Sequence, residues 1–150
     1  MFKVLHVIQT PDSQLISGAL DTITLSFDQR HCRRIALKSD RGHEFLLDLH
    51  HAVLLKQDDC LQLEDGSWIK VQEADEPVLN IACEDASQLV RIAWHLGNRH
   101  CPTQILENGL RIPYDKVLEK MLVGLGAAVE THSLPFSPES GAYSTSHSHE

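Results

Sequence analysis

Residues 78–131, VLNIACEDASQLVRIAWHLGNRHCPTQILENGLRIPYDKVLEKMLVGLGAAVET, change period several times, and the order of those changes decides the fold. Val78 to Ala82 is a short apolar run of strand length. Asp85-Ala86-Ser87 offers side-chain oxygens to the free N–H groups of a first helical turn. Behind it, Leu89, Val90, Ala93, Trp94 and Leu96 recur at helical spacing, and Gly97-Asn98 is expected to end that helix. Gln104-Ile105-Leu106 and Leu110-Arg111-Ile112 flank Asn108-Gly109, a hairpin signal. Pro113 then precedes a second helix expected from Tyr114 to about Leu125, with Val117, Leu118, Met121, Leu122 and Leu125 on one face. Gly126 stops it, and Ala127 to about Thr131 returns as a strand. Strand, helix, hairpin, helix, strand is the ferredoxin-like βαββαβ order.

Upstream the period is two. Ile23, Leu25 and Phe27 alternate with polar residues, as do Phe45, Leu47 and Leu49, and Leu61-Gln62-Leu63 meets Trp68 to Val71 across Asp65-Gly66. Asp40-Arg41-Gly42 marks another turn. Residues 1–72 therefore read as a small all-β domain, expected to be a sandwich, and the acidic stretch 73–77, closed by Pro77, reads as a linker. The ferredoxin-like domain is placed at 78–136. Residues 137–150, rich in Ser, Pro, Gly and His, have too little apolar content to offset ordering and are expected to form a flexible tail. The fold class is α+β.

Composition narrows the function. The chain of 150 residues carries a net charge of −8, which disfavours nucleic acid because a duplex binder needs basic groups against phosphate. The longest apolar runs are far short of the ~20 residues that span a bilayer. MFKVLHVIQT lacks the features of a secretory signal, so a cytoplasmic location is expected and Cys32, Cys60, Cys83 and Cys101 are expected as thiols. No C-x-x-C pair is present to suggest a structural zinc site. Phosphate loops, G-x-G-x-x-G, the G-x-S-x-G elbow and H-E-x-x-H are missing as well, so the chain does not read as an enzyme.

Ten histidines are the unusual part of the composition. His95 falls in the last expected turn of the first helix and His100 just beyond it. By spacing alone both read as helix-end histidines, which the negative end of a helix dipole favours. His147-Ser148-His149 near the end can wrap a cation with two imidazoles, or can be an ordinary polar terminus. His50-His51 lies on a strand, where neighbouring side chains diverge. His6, His31, His43 and His132 have no ligand spacing.

Gly97-Asn98-Arg99-His100, Leu110-Arg111-Ile112-Pro113, Val117 to Leu122, Gly124-Leu125-Gly126 and Leu134 to Tyr143 occur in an order that resembles the C-terminal half of the UreE family of urease accessory proteins. Arg33 to Leu37 and the Glu64-Asp65-Gly66 hairpin resemble its N-terminal half. The resemblance implies a nickel metallochaperone: a homodimer whose β-rich domain serves protein contacts and whose ferredoxin-like domain holds Ni²⁺ at the dimer interface. It assigns the central ligand to His100, with His147 and His149 completing the shell, Zn²⁺ or Cu²⁺ able to substitute, and His95 as a weak peripheral ligand. Implied partners are the urease accessory GTPase and the urease apoprotein complex, with neither nucleic acid nor membrane. Tyr114 and Lys116 stand where some members carry further histidines, and two tail histidines replace a long histidine-rich tail, which implies shuttling rather than storage. Two other readings are a peptide-binding interaction module with incidental metal binding and a small metal-dependent enzyme, for which no general base is in view.

A donor set made of imidazoles coordinates only when neutral. Nickel affinity is therefore expected to fall steeply below about pH 6.5, the ordinary histidine pKa. Calorimetric titrations between pH 5 and 8 check this, and a flat affinity over that range would rule the ligand set out.

Overall fold

The computed structural model describes residues 1–9 and 11–140. It divides into two compact units, Met1–Ala74 and Asp75–Glu150.

The first unit contains β1 (Phe2–Ile8), α1 (Ser13–Ser17), β2 (Asp21–Leu25), α2 (Phe27–Arg30), β3 (His31–Lys38), β4 (Glu44–Leu54), β5 (Cys60–Leu63) and β6 (Trp68–Glu73). Its β character is as the alternating rows require. The six strands form one sheet in the order β2-β6-β5-β1-β4-β3, with β1–β4 and β2–β6 parallel. Register shifts between Val4 and His6 and between Cys32 and Arg34 bend the strands there. The sheet curls, so Ile23 and Leu25 of one edge strand and Cys32 of the other join a single core with Val4, Phe45, Leu47, Leu61, Ile69 and Val71. The two layers of the expected sandwich are thus two halves of one curled sheet. Two short helices were not foreseen. Phe27, expected to continue a strand, opens α2 because Ser26 and Gln29 form a reciprocal capping box.

Polar groups close the curl. Asp40, just past β3, accepts hydrogen bonds from the hydroxyls of Thr22 and Thr24 on β2, at 2.6 and 2.8 Å. Asp21 is buried and receives the Ser39 hydroxyl and the N–H groups of Thr22 and Arg41, with His43 Nδ1 at 3.1 Å. Arg30, fully buried, donates through Nε to the Leu55 carbonyl and through Nη1 to that of Leu25. A buried guanidinium needs such acceptors to offset its desolvation.

The second unit runs β7 (Glu76–Ala82), α3 (Ala86–Asn98), β8 (Gln104–Leu106), β9 (Gly109–Pro113), α4 (Lys116–Gly124) and β10 (Ala128–Leu134). The strand order β10-β7-β9-β8 is all antiparallel, and with one helix after the first strand and one after the third it is the ferredoxin-like fold. Leu79 and Ile81 of β7, Leu110 and Ile112 of β9, Ile92 and Leu96 of α3 and Leu122 of α4 make its core. Gly109 is required by close approach, since a Cβ there would stand 2.2 Å from the Ile81 carbonyl oxygen.

Two boundaries differ from expectation. The acidic stretch read as a linker is mostly strand: β6 continues to Glu73 and β7 starts at Glu76. Pro77 fits the second position of β7 because its carbonyl is what is used there, accepting the Tyr114 N–H. The second helix starts at Lys116 rather than Tyr114, because the Asp115 carboxylate accepts the N–H groups of Val117 and Leu118 and so becomes the cap.

For Asp21, burial alone would raise the carboxyl pKa, but hydrogen bonds from Ser39, Thr22, His43 and Arg41 outweigh it and hold the group at about 2, below its ordinary 3.8. A depressed folded-state pKa contributes stability that is present above pH 4 and lost as the pH falls toward 2. Asp21→Asn is expected to lower stability at pH 7 and to flatten the acid limb. Thermal melts between pH 2 and 7 check this; parallel acid limbs in both proteins would contradict it.

Candidate metal centre

The site is built on the end of α3. Asp85 caps the helix by accepting the Gln88 N–H at 2.7 Å. Ile92 and Leu96 are buried against the sheet, while Val90 and Trp94, four apart on another face, are 68% and 62% exposed. The helix ends at Asn98, as the Gly97-Asn98 pair led one to expect, but the residue that takes the left-handed conformation is His100 rather than Gly97, with φ of +55°. His100 N–H donates to the Gly97 carbonyl and Cys101 N–H to that of Leu96, both at 3.0 Å. This pair of bonds is the Schellman ending, which absorbs carbonyls left free by the last helical turn.

The molecule repeats the arrangement at α4. There Gly126 N–H reaches the Val123 carbonyl, Ala127 N–H reaches that of Leu122, and Gly126 has φ of +93°. Glycine adopts this conformation without the Cβ penalty. His100 occupies the equivalent position with a side chain that is penalised there, and it is exposed. The turn fixes the backbone from which the imidazole projects.

The neighbouring residues have separate roles. His95 is half-buried, its ring edge-to-face with Trp94 at 5.1 Å between centroids. Cys101 packs against the core of the unit. Burial, with the charge of Asp115 adding, pushes its thiol up to about 11 against an opposing hydrogen bond with Thr103. It is a protonated thiol at neutral pH rather than a ready thiolate ligand. A depression lined by Arg99, Cys101, Pro113, Tyr114, Asp115 and Val117 adjoins the turn. Among the described residues, no group of three or more His, Cys, Asp or Glu side chains converges on a metal position. His147 and His149 lie outside the described residues. His43 belongs to the Asp21 cluster, and His132 Nε2 lies 3.0 Å from Glu130 Oε2.

One feature escaped the sequence reading. After β10, residues 135–139 are tied back to the sheet at three points. Arg111 Nη1 donates to the Pro135 carbonyl at 3.0 Å, Ser137 N–H to Gln104 Oε1 at 3.0 Å, and Glu139 N–H to the Thr103 carbonyl at 2.9 Å. Thr103 is three residues from His100.

A left-handed histidine costs the fold about 1 kcal/mol relative to glycine in that conformation. His100→Gly is accordingly expected to raise the melting temperature by a few degrees, and His100→Ala, which keeps a Cβ, to leave it nearly unchanged. Circular-dichroism melts of the two variants check this, and a lower melting point for the glycine variant would contradict it.

Comparison with known proteins agrees with the geometry at the level of family. A profile of the UreE urease accessory protein C-terminal domain matches residues 76–150, and one of its N-terminal domain matches residues 2–74. The urease accessory protein UreE of Rhodopseudomonas palustris strain BisB18 is 55% identical over 126 residues, covering 84% of this chain and 60% of that protein. The corresponding protein of Bradyrhizobium sp. strain ORS 278 is 54% identical over 133 residues, covering 88% and 63%. That of Chelativorans sp. strain BNC1 is 48% identical over 132 residues, covering 88% and 83%. The chain spans about three fifths of the length of the first two of these. No helix among the described residues is long and apolar enough to cross a membrane. Matched from residue 2 to residue 150 by its two domain profiles, the chain belongs to the UreE family of urease accessory proteins.

Proposed function

We propose that the protein is a cytoplasmic nickel metallochaperone of urease maturation, which binds Ni²⁺ between two copies of itself and passes it to the urease accessory GTPase and the urease apoprotein complex. The observation that carries this is the placement of His100, exposed on a hydrogen-bonded turn at the end of α3. Val90 and Trp94 leave an apolar stripe on the same helix. An exposed stripe of this kind suits contact with another protein surface. A two-fold contact there repeats every group, so one His100 per chain supplies two imidazoles to one ion.

Two imidazoles leave a nickel ion short of donors, and His147 and His149 supply the remainder. Chain length permits this: from Glu139 to His147 is eight residues, which reach at most about 29 Å. Glu139 is itself bonded to Thr103, and three Cα steps cap the Thr103–His100 separation at about 11 Å. A nitrogen-rich set also takes Cu²⁺ and Zn²⁺, so selectivity comes from geometry and supply. The first unit, with its own core and curled sheet, serves partner contacts.

Replacing His100 with Ala and titrating Ni²⁺ by calorimetry tests the proposal. Tight binding near one ion per dimer is expected to be lost, with the melting point little changed. If it survives, His100 is not the central ligand.

A further inference from the structure

The register of the second sheet places Glu130, Asn80, Arg111 and Gln104 in one row across its four strands, since Glu130 pairs with Asn80, Asn80 with Arg111 and Arg111 with Gln104. Paired residues share a face. Leu79, Ile81, Leu110 and Ile112 alternate with the row and point into the core, so the row lies on the face away from α3 and α4. On that face the chain leaves β10 at Leu134, which pairs with Glu76 at one edge of the sheet, and is tied at Glu139 to Thr103 beside the opposite edge strand. Crossing three strand spacings moves the chain about 14 Å.

Two side chains of the row make the crossing. Arg111 bridges Asn80 Oδ1 at 2.8 Å and the Pro135 carbonyl at 3.0 Å, and Gln104 Oε1 accepts the Ser137 N–H. Phe136, between these two anchor points, is 2% exposed. Both anchors belong to the sheet rather than to the helix end that carries His100. Without them, the single Glu139–Thr103 backbone bond is left to hold the crossing, and once it opens the nearest fixed point is Leu134, at the far edge.

We propose that Arg111 and Gln104 are positioning residues of the metal site, fastening residues 135–139 across the sheet so that the C-terminal histidines start from beside His100. This rests on the proposed role of His147 and His149. With the strap in place the chain from its last anchor to His147 is eight residues; from Leu134 it is thirteen and begins on the other side of the sheet. The penalty for closing a loop rises with its length, and a displaced starting point adds to it.

The test uses the full chain and nickel alone. Arg111→Met keeps the aliphatic stem and removes the donors, and Gln104→Met keeps the length and removes the acceptor. Amide hydrogen exchange on metal-free protein is expected to show the Glu139 N–H protected in the parent and faster in either variant. Nickel titrations are expected to show affinity reduced about twofold or more in each variant. In a background carrying His147→Ala and His149→Ala, the same substitutions are expected to leave nickel affinity unchanged, although any loss of melting temperature persists.

An Arg111→Met effect that is as large without the tail histidines as with them overturns the positioning role and makes the residue merely structural. Unchanged affinity in both strap variants, when removal of the tail histidines does weaken binding, overturns the inference alone. If removing the tail histidines has no effect, the tail-ligand reading fails and the inference falls with it.

Discussion

The hydrogen bond from Cys101 N–H to the Leu96 carbonyl governs the second unit. It ends α3, reverses the chain and keeps Leu96 and Cys101 in one apolar cluster. The strand that begins three residues later, β8, then starts where the hairpin to β9 needs it. A helix with this ending must place one residue in the left-handed region. Here that residue is His100, so the constraint that closes the helix also decides which side chain stands at its tip.

The first unit solves a different problem. A curled six-stranded sheet has two edges, and exposed edges invite pairing with other chains. Near one end, Asp40 and the Asp21–Ser39–His43 cluster fasten the terminus of β3 to β2. Inside, Arg30 ties α2 to the last carbonyl of β2 and to the carbonyl that follows β4. Polar groups are therefore used where two segments must meet without a continuous ladder, and apolar ones fill the space between them.

Most of the second unit was legible because its apolar period switches cleanly and its caps are local. Asp85 and Gly126 act within a few residues of where they stand in the chain. The first unit was half legible: alternation showed strands at Phe45 and Leu61, but not that one sheet would bend back on itself, because that depends on bulges and pairings between distant segments. The helix end misled in one respect, for a physical reason. Gly97 looked like the left-handed residue, yet the bonds that close the turn depend on the fit of Leu96 and Cys101 into the core, which no local pattern reports. The strap was invisible for the same reason, since Arg111 and Pro135 are joined only through the register of four strands. His100 itself emerged from the order of motifs around it rather than from its spacing to other histidines.

The pinned turn has a consequence for how donors of different kinds can enter a coordination shell. With its backbone already fixed by hydrogen bonds on both sides of the turn, the His100 imidazole has only side-chain torsions to surrender on meeting an ion. A donor carried on backbone that is not so held gives up roughly 1 kcal/mol or more for every residue it orders. In the proposed site the fixed imidazole would thus be the low-entropy-cost first contact, and donors brought from further along the chain would be the last to join and the first to leave. An ion held in the proposed way would depart through the weak side of its shell, toward whichever acceptor replaces the outer donors, while its inner contact stayed in place until the transfer was nearly complete.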